Sequence, residues 1–101
     1  MPVRTRLEKS GVPAEGKLRA DLVSELQNPK KRGEPDIIIE RPHPSTIHLY
    51  VIWKKWGNLE QMVRSRVILD AFAEVHGEKK ASDVTIAMGL TPVEADRLGI
   101  K

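Results

Sequence analysis

DIIIER at residues 36–41 and TIHLYVIW at residues 46–53 stand four residues apart, and their reading decides the fold. The first is a β-branched run held between Pro35 and Pro42. Branching at Cβ favours the extended backbone, and each proline marks an end of the run, so it predicts a strand. In the second, Ile47, Leu49, Val51 and Trp53 alternate with His48, Tyr50 and Ile52. That period of two sends the first set to a core face and the second to the opposite face. The connection, PHPS, is short and stiff, so the two strands predict an antiparallel hairpin.

Upstream, residues 13–28 place Leu18, Leu22, Val23 and Leu26 at helical spacing, with Lys17, Arg19, Asp21 and Glu25 on the other side. Asn28-Pro29 stops that helix. Downstream, Asn58-Leu59-Glu60-Gln61 has the form of a capping box. It opens a helix whose stripe is Leu59, Val63, Val67, Ile68, Ala71, Phe72 and Val75, ended by Gly77. The stretch between Gly77 and residue 84 reads as a loop with room for one helical turn. VTIAMGL at 84–90 reads as a third strand, and Thr91-Pro92-Val93-Glu94 opens a last short helix. The order is α-β-β-α-β-α. Amphipathic helices must bury their stripes on a sheet, so the chain is expected to be an α+β two-layer sandwich, a three-stranded mixed sheet with its helices on one face. Residues 1–12 carry no periodicity and read as a flexible basic arm, leaving 13–101 as a single domain.

A length of 101 residues suits one domain. The absence of cysteine removes disulfides, thiolate metal sites and thiol catalysis from consideration. No apolar run approaches the roughly 20 residues of a membrane span, and MPVRTRLEKSGV lacks a signal peptide's apolar region. A cytoplasmic protein without a membrane partner is expected. The formal net charge is +3 and it is uneven. Residues 1–32 hold eight Lys and Arg against four acids, whereas residues 33–101 hold nine against ten. An excess in one segment suits contact with phosphate backbones.

Element order and three short motifs give a resemblance to the type II KH-like topology and, within it, to the BolA family. The motifs are IHLYVIWKKWGN, then Arg64-Ser65-Arg66-Val67, then VTIAMGL running into Thr91-Pro92-Val93-Glu94. The resemblance implies an α+β domain and a redox partnership around an iron–sulfur cluster. The sequence departs from the family at both of its histidines, which fall on Ser65 and about Asp83. His43 alone does not hold a cluster, so at most a partner role without a cluster carries over. The KH-like phosphate loop Gly-x-x-Gly falls on Gly77-Glu78-Lys79-Lys80, where the second glycine is a lysine.

The candidate site follows from hairpin geometry. The start of the first strand lies beside the end of the second, which is expected to bring Lys30, Lys31 and Arg32 near Lys54, Lys55 and Trp56. Cations attract phosphates and an exposed indole stacks on a base. Arg64 and Arg66 on the helix flank, Lys79 and Lys80 after it, and Arg4 and Arg6 in the arm extend the set. Arg64 also has Glu60 four residues earlier as a possible ion-pair partner. The histidines and acids show no ligand or triad spacing, so no enzyme, metal or cofactor is expected. The expected function is nucleic-acid binding, DNA ahead of RNA. The alternative is a protein partner or a weak homodimer on a sheet face carrying Ile38, His48, Tyr50 and Ile52.

Overall fold

The computed structural model describes residues 4–29 and 34–100, with side chains from Glu15 onward. The hairpin is present. β1 (Asp36–His43) pairs antiparallel with β2 (Thr46–Ile52), with Ile38 opposite Tyr50 and Glu40 opposite His48. The ladder shifts between Glu40 and His43, around Pro42, which has no amide to donate. β3 (Val84–Leu90) joins β2 in parallel and completes a mixed sheet in the order β1-β2-β3. Parallel neighbours need a crossover, and α2 (Gln61–His76) supplies it.

Strand alternation then sorts the core. Ile47, Leu49 and Val51 turn toward α1 (Arg4–Gln27) and α2, where Leu18, Leu22, Val67, Ile68, Ala71 and Phe72 bury against them. Trp53 and Trp56 close the end of this layer. α4 (Pro92–Leu98) begins with the expected capping box, Thr91 accepting from the Glu94 amide and Glu94 accepting from the Thr91 amide. Its Ala95 packs on Ile52 and Leu90, in a second small cluster on the opposite face of the sheet. No described helix is long and apolar enough to cross a membrane.

Two boundaries differ from the sequence expectations. α1 begins at Arg4, upstream of Pro13 where the apolar spacing starts it. α2 begins at Gln61 with Glu60 at the N-cap, and Asn58 caps nothing. The Gln61 amide that a capping box requires is bonded to the backbone of Gly89 instead. The stretch after Gly77 holds the one helical turn for which the sequence left room, α3 (Glu78–Ala81). Gly77 does end α2, at φ 96, a left-handed value that disfavours a side chain.

Candidate functional site

Register at the hairpin base sets Asp36 opposite Ile52, so the chain entering β1 passes the chain leaving β2. The Lys54 amide donates to Glu34 at 3.3 Å. Lys30, Lys31 and Arg32, expected here, lie outside the described residues. Lys54 is exposed and has no ion pair among the described residues. Lys55 is exposed too, but its Nζ lies 3.4 Å from Asp21 and 5.6 Å from the centre of the Trp53 ring. Beside it opens a cleft of about 340 Å³ lined by Asp21, Glu25, Glu34 and Lys55 among others. Among the described residues, three carboxylates face one ammonium in that cleft, a balance that does not favour phosphate.

Trp56 corrects the sequence expectation. Its residue is 1% exposed, and its indole donates to the Val51 carbonyl at 2.9 Å while standing edge-on to Trp53 at 5.3 Å. The 3₁₀ turn Lys54–Trp56 explains the burial. With three residues per turn, a side chain three positions after Trp53 returns to the same side, toward the core. Gly89 makes the room, since a Cβ there would lie 2.8 Å from Trp56 Cε2 and from the Arg64 Cβ. The indole is therefore closed to a stacking base.

Arg64 is the second correction. It was expected on the exposed flank of α2 and is 5% exposed. Its guanidinium donates to the carbonyls of Leu59 at 2.8 Å, Gly89 at 2.9 Å and Gly57 at 3.1 Å, and to the Glu94 carboxylate at 2.7 Å. One side chain so ties the start of α2, the end of β3 and α4 together. The Arg64 hydrogen bond, followed by that from the Thr91 amide, holds the Glu94 carboxyl below its usual range. Arg66 is exposed but bonded to both Glu15 oxygens, at 3.1 and 3.2 Å.

Lys79 and Lys80 are exposed on α3, beyond the C-terminal end of α2, while Lys54 precedes its N-terminal end. A 16-residue helix between them is about 24 Å long, so these lysines do not join the Lys54 corner. Arg4 and Arg6 belong to α1, and their side chains lie outside the described residues.

The second surface is the sheet face turned away from α1 and α2. Its rows are Ile38, Tyr50 and Met88, then Glu40, His48 and Ile86, each running across β1, β2 and β3. All but the exposed Glu40 are half-buried. His48 Nδ1 stands 3.9 Å from Glu40. Ile52, expected to be exposed here, is buried beneath Ala95 of α4 with Leu90. Ile86 and Met88 were missing from the sequence reading of this face. Their places in the alternation of VTIAMGL, and a parallel register with β2, would have supplied them.

No family model matches this chain, and no curated protein or solved structure matches it.

Proposed function

We propose that the chain is a non-catalytic protein-interaction module whose working surface is the open face of the sheet. The observation carrying this reading is the uneven cover. Both long helices pack over Leu49 and Val51, whereas the other face has only the short α4 over Ile52 and Leu90. Ile38 and Met88 pack at the margin of that small cluster, and with Tyr50, Ile86 and His48 they form a contiguous, mostly apolar, half-buried surface outside the helix layer. Apolar surface of this kind, rimmed by polar groups such as Glu40, marks interaction sites. A photo-crosslinking residue at Tyr50, compared with one at the exposed Glu74 on the helix layer, tests it in cells. A discrete adduct from position 50 that disappears with Met88→Asp supports the reading. Adducts that are no different at position 74 count against it.

A second reading, nucleic-acid binding with DNA ahead of RNA, rests on Lys54 at the hairpin base, which has no ion pair among the described residues, on Lys79 and Lys80, and on the positive excess of residues 1–32. An amide NMR titration with short duplex DNA and single-stranded RNA at low and moderate salt tests it. Shifts around Lys54 that fade with salt support phosphate contact there. Silence at low salt removes it.

A further inference from the structure

The two edges of the sheet are treated differently. On β3, side chains of α2 close the outer edge over its last residues. Gln61 both donates to the Gly89 carbonyl at 2.9 Å and accepts from the Gly89 amide at 2.8 Å, in the manner of a neighbouring strand. Arg64 shares the same carbonyl, and Ser65 Oγ donates to the Ala87 carbonyl at 2.5 Å. On β1, nothing among the described residues pairs with the outer edge. An open row of amides and carbonyls is a template for another strand. Prolines at 35 and 42 confine that template to residues 36–41.

We propose, building on the protein-interaction reading, that the outer edge of β1 takes an extended segment of a partner protein as a fourth strand. The side chains of β1 state the chemistry of that segment. On the open face, exposed Asp36 and Glu40 flank Ile38, and neither forms an ion pair with a lysine or arginine among the described residues. On the helix side, Ile37 is half-buried and Ile39 is 45% exposed. Residues directly opposite in antiparallel strands share a face and interact as pairs. The incoming strand therefore carries three consecutive apolar residues between two Lys or Arg. A second copy of β1 is a poorer occupant. Antiparallel pairing about Ile38, the register that matches the isoleucines, sets Asp36 of each copy against Glu40 of the other, and like charges directly opposite repel.

The probe is a soluble synthetic peptide centred on Lys-Val-Ile-Val-Lys, added to the full chain and followed by amide NMR and hydrogen exchange. The expected result is shifts and slowed exchange along residues 36–41. Reversing both acids, Asp36→Lys with Glu40→Lys, is expected to weaken that peptide about tenfold and to favour a Glu-Val-Ile-Val-Glu peptide instead. Both residues are exposed, so the double variant keeps its core, and the switch in preference is something a merely structural effect does not produce. Shifts at Tyr50 and Met88 without protection at residues 36–41 overturn the edge mode and leave the open-face reading standing. Absence of shifts with either peptide overturns the edge proposal, and the Tyr50 crosslink then decides the open-face reading by itself. Concentration-dependent dimerisation that protects residues 36–41 overturns the proposal in favour of self-pairing.

Discussion

Arg64 shows how a charged side chain becomes part of a core. Burying a guanidinium is costly unless its donors are met, and here three carbonyls and one carboxylate meet them. Replacing it by alanine leaves those acceptors facing each other, and Arg64→Ala is expected to lose about 3 kcal/mol, read from urea midpoints. Its partner Glu94 gives a pH dependence with a definite sign. Folding lowers the Glu94 pKa below its usual 4.5, so its contribution is complete above that value and is lost as pH falls through the lowered one. The stability gap between the wild type and Glu94→Gln is therefore expected to shrink as pH drops below 4.5, in urea titrations of both proteins. Gly89→Ala tests the crowding beside Arg64. A methyl group within 2.8 Å of Trp56 and Arg64 must displace them, at a cost of about 1–3 kcal/mol. Apart from the bond between Glu94 and the Thr91 amide, none of this was legible in the sequence. Arg64 reads as a flank residue beside Glu60, because its acceptors are backbone carbonyls and a glutamate 30 positions away. Trp56 reads as exposed between a lysine and a glycine, because only the turn aims it inward.

At the scale of elements the sequence was far more legible, and the exceptions are informative. The strands follow from β-branching and alternation, which are local properties. The start of α4 follows from Thr91-Pro92-Val93-Glu94, where all the capping partners lie within four residues. The start of α2 does not, because Gln61 has two competing uses. It can close a capping box with Asn58 or pair with the edge of β3, and the strand, distant in sequence, takes it. The helices of the core layer are joined at their rims by Arg19–Glu74 at 3.3 Å and Arg66–Glu15 at 3.1 Å, exposed pairs worth at most about 1 kcal/mol each. α4 rests on less: one capping box, the Arg64 bond and the small cluster around Ala95. Thr91→Ala is expected to cost about 1 kcal/mol. Hydrogen exchange is the measurement that places this loss. The α4 amides are expected to exchange faster while those of α2 stay near wild type, since α4 opens without taking the main core with it.

For the whole molecule, pairing decides how much of the charge is available. Lys55, Arg19 and Arg66 each face a carboxylate across the α1 side of the molecule, so the net +3 overstates the field there. The basic constellation expected from sequence is thereby thinned. Charge asymmetry along a chain cannot say which cations will meet acids once the helices pack. Among the described residues the Lys54 ammonium at the hairpin base is left without an ion pair, whereas the open face keeps its apolar rows whatever the salt. The two readings of function are therefore separable in one protein by two substitutions. If duplex DNA binds at the hairpin base, Lys54→Glu is expected to reduce the slope of log affinity against log salt by about one phosphate contact's worth, roughly 0.9, measured by fluorescence anisotropy. Tyr50→Asp, on the other side of the sheet, is expected to leave that slope unchanged and to abolish the protein adduct formed from a crosslinker placed at Met88. Dependence of the slope on Tyr50 would instead place nucleic acid on the sheet face itself. Loss of the Met88 adduct with Lys54→Glu would mean that the partner reaches round to the hairpin base, joining the two surfaces into one.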